Sequence, residues 1–164
     1  MATPFGEDVL IVVASYGIGC FTAGYYLFRW RTGCDIREHG SGNPGARNVG
    51  RLLGVGWFSA TLLLDAGKGG LAVWLACYFG LGRLGTVAAM LAVVVGHVWP
   101  IQLHFRGGKG VAASLGAGLV YVVLPNGDGV FVTSGLGALG VVALLANRGD
   151  VRKEIGRRPA DTGR

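Results

Sequence analysis

The chain has 164 residues, enough for one domain, and its 51% hydrophobic against 15% charged content excludes an ordinary soluble globule and points to a bilayer protein. Its 31 glycines, about 19% of the chain against a typical ~7%, follow no three-residue period, which excludes collagen, and with 5 prolines they stay below the level that marks low-complexity disorder. The net charge of +6 suits anionic lipid or nucleic acid, and its distribution along the chain decides between them.

In chain order, residues 9–28 run for twenty positions without a charge, enough at ~1.5 Å per residue to cross a hydrocarbon core of ~30 Å. Glu7 and Asp8 precede them in place of a basic region, so a retained helix is expected rather than a cleaved signal peptide. Further apolar stretches cover residues 57–79, interrupted by Asp65 and Lys68, and residues 84–103. Residues 111–124 and 130–146 follow, parted by the turn Pro125-Asn126-Gly127-Asp128-Gly129. The expected fold class is all-α, a single-domain polytopic membrane helix bundle of about five spans. Residues 111–124, only fourteen positions, also suit a re-entrant hairpin or a tilted helix.

If all five segments cross, the loops 29–56 and 104–110 and the tail 147–164 share one side and hold thirteen of the fifteen bases, while the other side has only Arg83. The positive-inside rule then puts the N-terminus outside and these loops and tail in the cytoplasm. The charge reads as a topology signal with contact to anionic membrane lipid. No aromatic-interleaved basic surface marks a nucleic-acid partner. Cys20, Cys34 and Cys77 form no CxxC pair and read as unpaired thiols.

Two cytoplasmic loops carry candidate chemistry. Residues 35–51 read DIREHGSGNPGARNVGR, in which Gly40, Gly42 and Gly45 permit positive φ and an inward-facing row of N–H groups that suits an anion. Ser41, Asn43 and Asn48 add neutral donors, and Arg47 and Arg51 add fixed positive charge. A Gly/Asn turn with topogenic arginines is the other reading of the same residues. Residues 105–111 read FRGGKGV, where Gly107, Gly108 and Gly110 surround Lys109 at a helix start, combining unpaired N–H groups, the positive helix end and an ammonium. This is a second phosphate site or a membrane-flank cation beside a turn. It is not a Walker A motif, because no Ser or Thr follows Lys109 and no strand precedes it.

Asp65 and Lys68 lie three apart on one helix face, in a region where charge is expensive unless paired or lining a polar cavity, so they form a structural ion pair or a catalytic one. His97, just before Trp99-Pro100, is an interhelical hydrogen bonder or a catalyst. No GxSxG, HExxH or carboxylate cluster occurs, which leaves covalent and metal catalysis without support.

At residues 35–51, at LLLDAGKGG (62–70) and at GHVWPIQLHFRGGKGVA (96–112), the sequence resembles the bacterial acyl-phosphate:glycerol-3-phosphate acyltransferases, the PlsY family. The resemblance implies a seven-helix inner-membrane enzyme of phospholipid biosynthesis. Such an enzyme transfers a fatty acyl group from acyl phosphate to the 1-hydroxyl of glycerol 3-phosphate, releasing lysophosphatidic acid and inorganic phosphate. Carried over by position, it makes Ser41, Arg51 and Lys109 phosphate-contacting residues with the nearby glycines as cradles. It implies no CoA, acyl carrier protein, metal or other cofactor, and no obligate protein partner. A mixed anhydride is already activated, so alignment and charge neutralisation are what the protein has to supply; the resemblance implies a substrate phosphate as the base.

The chain departs from the family pattern in having Arg47 where the family has Thr, and its C-terminal HRxN pattern falls on Asn147-Arg148-Gly149-Asp150. Asn147 still offers a hydrogen-bond donor. The expectation is a shortened, divergent member, with a catalytically inactive paralogue binding a phosphorylated lipid or metabolite as the alternative. A small transporter or channel subunit is a third reading, from the Asp65/Lys68 pair and the small residues Gly135, Gly137 and Gly140.

Overall fold

The structure, a computed structural model, describes residues 5–124; the expected span 130–146 and Asn147 lie outside them. The described residues form helices α1 (Phe5–Cys20), α2 (Ala23–Thr32), α3 (Ala46–Leu53), α4 (Val55–Tyr78), α5 (Arg83–Val98) and α6 (Val111–Val123), with short 3-10 turns at Ile36–Glu38 and Ile101–Leu103. Three segments are long and apolar enough to cross a membrane: Gly6–Thr32, which takes in α1 and α2, Val55–Tyr78 and Arg83–Leu103.

Two helix limits follow local chemistry, and one does not. The stretch 9–28, expected as one uninterrupted helix, is broken at Phe21 and Thr22. The stretch 84–103 stops being α-helical at Val98, because Pro100 pushes Trp99 out of the α region to φ −124°, ψ 64°. Gly110, at φ 78°, turns the chain into α6, whose 13 residues rise only ~20 Å.

Glycines set how the helices pack. A Cβ on Gly19 would strike the Val93 backbone, and one on Gly96 the Tyr16 carbonyl, so α1 and α5 touch backbone to backbone. Gly69 and Gly116 do the same for α4 and α6, against the Ala113 and Ala66 carbonyls. Between these pairs lies a core of Ala72, Val73, Met90, Val93, Val94, Ala113 and Ala117. The outer faces expose Leu10, Leu63, Leu84, Leu119 and Val123, as lipid-facing helices do. On α4, Trp57 stands near the start and Trp74 and Tyr78 near the end, ~26–32 Å apart along the axis, which matches aromatic anchors at two membrane interfaces.

The chain reverses through residues 79–82 and again through 99–110, so α6 begins beside the end of α5. His97 reaches Lys68, which places this meeting point ~20 Å along α4 from its start. Residues 107–110, seated on His97, Val94 and Val98, are therefore recessed, whereas Leu103 packs with Ile36 of the first loop and Val49 of α3.

Candidate functional site

The first loop is shaped by one side chain. Asn48, buried on α3, accepts the Ser41 N–H on Oδ1 at 3.0 Å and donates from Nδ2 to the His39 carbonyl at 3.0 Å. These bonds close a turn in which Gly40 and Gly42 take φ of 60° and 73°, and in which the Gly42 N–H bonds the His39 carbonyl at 3.0 Å. A Cβ on Gly40 would fall on Asn48 Oδ1. Asn48, expected as a donor to an anion, thus spends its amide on the loop itself. Asn43 likewise accepts the Gly45 N–H on Oδ1 at 2.8 Å. Ser41 is exposed on the turn, and Arg47 and Arg51 are exposed four residues apart on α3, sharing one face.

The second loop is built on the open end of α5. Gly107 and Gly108 donate their N–H groups to the Val98 and His97 carbonyls, each at 3.0 Å. The two amides that the motif offers to an anion therefore cap α5 instead. Glycine is needed there for space, since a Cβ on Gly107 would meet the His97 carbonyl and Pro100, and one on Gly108 the His97 ring. Lys109, half-buried, and the first turn of α6 that follows Gly110 adjoin these capped amides.

Arg37 joins the two loops. Its guanidinium grips Asp35 with contacts of 2.6–3.0 Å, donates from Nη1 to the Leu103 carbonyl at 2.9 Å and lies 5.1 Å over the Tyr25 ring. The hydrogen bond from Arg37 holds the Asp35 carboxyl below the usual carboxylate range, and Asp35 in turn raises Arg37. Beneath them Tyr25, Phe28, Ile36, Val49 and Leu103 share one apolar cluster, so α2, α3 and both loops are packed as a unit. The only sequence signal for Arg37 is the acid two residues before it.

Asp65, Lys68 and His97 come together beneath Gly108 of the second loop, each less than a tenth exposed. Lys68 Nζ lies 3.0 Å from Asp65 Oδ1 and 2.7 Å from His97 Nδ1, and Asp65 Oδ1 is 3.5 Å from the same ring nitrogen. The charges are paired, and His97 bonds between helices. Between α4 and α6 runs an apolar groove of 520 Å³, lined by residues including Leu63, Gly67, Trp74, Gly116 and Leu119.

Comparison with known proteins gives this arrangement a context. The profile of a family described as glycerol-3-phosphate acyltransferase matches residues 9–148. A glycerol-3-phosphate acyltransferase 1 of Bacillus cereus is 44% identical over 107 residues, 65% of this chain and 58% of that protein. One of Desulfitobacterium hafniense is 46% identical over 114 residues, 69% of this chain and 56% of that protein. A glycerol-3-phosphate acyltransferase of a Synechococcus species is 38% identical over 156 residues, covering 87% of this chain and 78% of the relative. The matched part thus spans less than two thirds of the Bacillus and Desulfitobacterium proteins. The fold is similar to a crystal structure of PlsY, an integral membrane glycerol 3-phosphate acyltransferase in its glycerol 3-phosphate form, with a TM-score of 0.76, 25% identity and 96% of each chain covered. With its three apolar spans and this likeness, the molecule is a multi-pass membrane protein. On the extent of the profile match and the identity to these relatives, the chain belongs to the glycerol-3-phosphate acyltransferase family.

Proposed function

We propose that the chain transfers a fatty acyl group from acyl phosphate to the 1-hydroxyl of glycerol 3-phosphate, forming 1-acylglycerol 3-phosphate (lysophosphatidic acid) and inorganic phosphate. The observation that carries this reading is the pair of cationic loops, one with Ser41 and Arg51 and one with Lys109, fastened at one end of an apolar bundle by Arg37 and the Leu103 carbonyl. Two phosphorylated reactants need two such positions, and one of them brings an acyl chain that requires lipid-facing surface. The PlsY crystal forms with glycerol 3-phosphate and lysophosphatidic acid support the same substrate class.

In the proposed reaction the 1-hydroxyl oxygen attacks the acyl carbon, the bond from that carbon to the phosphate oxygen breaks, and the hydroxyl proton passes to a substrate phosphate. Ser41, Arg51 and Lys109 contact phosphate; Gly40, Gly42, Gly45, Gly107, Gly108 and Gly110 give the loops their shape, and Asn43 offers its Nδ2 hydrogens. Asn147, outside the described residues, serves as a further donor in this reading. Alignment and charge neutralisation supply the rate, since the mixed anhydride is already activated. The loops face the cytoplasm at the inner membrane, with the N-terminus outside, in keeping with the positive-inside distribution.

The test is formation of lysophosphatidic acid from acyl phosphate and labelled glycerol 3-phosphate by membranes carrying the protein, lost in Lys109→Ala and in Arg51→Ala. No product above an empty-membrane control overturns the reading. One feature favours a second one, a silent paralogue that binds a phosphorylated lipid or metabolite: Arg47 stands exposed in the first turn of α3 where the family has Thr. Activity that appears only in Arg47→Thr combined with Asn147→His identifies that paralogue.

A further inference from the structure

A helix broken at membrane depth leaves backbone groups that water cannot reach. At Phe21 and Thr22 these groups are met by side chains of other elements. Lys68 Nζ donates to the Gly19 carbonyl at 3.0 Å and the Phe21 carbonyl at 2.5 Å, at the negative end of α1. Asp65 Oδ1 accepts the Ala23 N–H at 3.3 Å, at the positive end of α2. The Cys20 carbonyl between them accepts from Gln102 Nε2 at 2.6 Å. Two charges three residues apart on α4 thus match both helix ends at the break.

Neutralising one another would require only the 3.0 Å contact between Asp65 and Lys68. The ammonium does more, because it also lies 2.7 Å from His97 Nδ1 on α5, which accepts from it in the tautomer that carries its proton on Nε2. The His97 carbonyl holds the Gly108 N–H at 3.0 Å, and Gly108 is seated so closely on the imidazole that a Cβ would meet Nε2. Lys109 is the next residue. An unbroken run of contacts therefore leads from the break in the first span, through Lys68 and His97, to the loop that carries the second cation.

We propose that Lys68 is a positioning residue for the 107–109 loop: by donating to His97 Nδ1 it fixes the imidazole on which Gly108 rests, and so sets where Lys109 meets a phosphate. With 6% of its surface exposed, Lys68 acts through His97 and not by touching substrate. Lys68→Met keeps an unbranched apolar stem and removes the donor. Loss of a charge-assisted hydrogen bond of this kind loosens what it holds by about tenfold or more.

The experiment compares amide hydrogen exchange in full-length wild type and Lys68→Met in detergent, alongside glycerol 3-phosphate kinetics. Gly107 and Gly108 are expected to exchange about tenfold or more faster in the variant, with residues 89–93 of α5 unchanged, and KM for glycerol 3-phosphate to rise about tenfold while kcat stays within about twofold. Asp65→Asn combined with Lys68→Met removes both charges at once, leaves no lone buried charge, and is expected to show the same loosening if the single variant does not fold. Unchanged loop exchange in a folded variant, or faster loop exchange with unchanged KM, overturns the proposal. The kinetic arm rests on the acyl-transfer reading; a wild type that forms no acylglycerol phosphate overturns that reading, and the exchange arm then decides this one.

Discussion

Replacing Asn48 by Ala tests whether a single buried amide shapes the first loop. The substitution removes two hydrogen bonds, from the Ser41 N–H and to the His39 carbonyl, both 3.0 Å long. At ~0.5–1.5 kcal/mol each the loss is about 1–3 kcal/mol. The lower half of that range is expected, because His39, Gly40 and Ser41 are exposed and water replaces part of what is lost. A cost of ~1–2 kcal/mol lowers the population of the closed turn by about 5- to 30-fold relative to its open form. Amide exchange at Ser41 should quicken by that factor, and KM for glycerol 3-phosphate should rise because Ser41 is no longer held in place. Asn48→Asp is the sharper companion: it keeps an acceptor for the Ser41 N–H but turns a carboxylate oxygen toward the His39 carbonyl and adds negative charge behind the phosphate position. Its Ser41 amide should stay more protected than in Asn48→Ala, while its KM should be higher. Ser41 exchange in Asn48→Ala within about twofold of wild type would refute the reasoning, since it would mean the glycines hold the turn without the bonds.

Gly116→Val is expected to force α4 and α6 apart at the Ala66 carbonyl, at a cost of at least ~1–3 kcal/mol in thermal unfolding, whereas Gly17→Ala, with open space around it, should be neutral or stabilising by up to ~1 kcal/mol; equal melting temperatures for the two would contradict the packing account. Arg37 holds the folded-state pKa of Asp35 below its unfolded value, so the stabilisation from this pair is fully present above ~pH 3.9 and is lost as pH falls through the lowered folded value. Melts of wild type and Asp35→Asn should therefore differ at neutral pH and converge in strong acid; a gap that persists there speaks against the pair. Cys34 is the one exposed thiol among the described residues, in the first loop, while Cys20 is buried and Cys77 half-buried. A membrane-impermeant maleimide should label Cys34 in inside-out vesicles and spare it in intact cells, and the reverse pattern would invert the proposed topology.

The limits of α4 and α6 were legible because apolar length is a local property, and both helices begin and end within two residues of where their apolar runs do. The break in the first span was not legible. Phe21 and Thr22 carry no proline or paired-glycine signal, and the groups that satisfy the break lie 42 to 49 residues away on α4. Asp65 and Lys68 were readable as a pair from their spacing; that they serve two helix ends required the fold. Gly107 and Gly108 show a different limit. A run of glycines before a lysine reads the same whether its N–H groups face an anion or cap the preceding helix, and only the carbonyls left open by Pro100 distinguish the two. Arg37 was hidden in a loop whose other arginines read as topology signals, and its partner on Leu103 is 66 residues distant.

These particulars bear on what the proposed acyl transfer from acyl phosphate requires of the protein. With an activated donor, the accuracy that matters is the placement of one phosphate relative to the other, and loops alone hold such a distance poorly. Here each loop is tied to a helix by a side chain: Asn48 on α3 for the first, His97 on α5 for the second, with Arg37 between them. The recessed position of the second loop follows from the same device, because α5 ends and α6 begins where His97 meets Lys68, well inside the length of α4. A cation held at that depth sits beside lipid-facing helices, where a phosphate and the acyl chain attached to it can be received together. The buried charges and the glycines at helix contacts, Gly19, Gly69, Gly96 and Gly116, then have one explanation: both allow backbone and loops to be fastened close together in a medium that offers no water to fill the gaps.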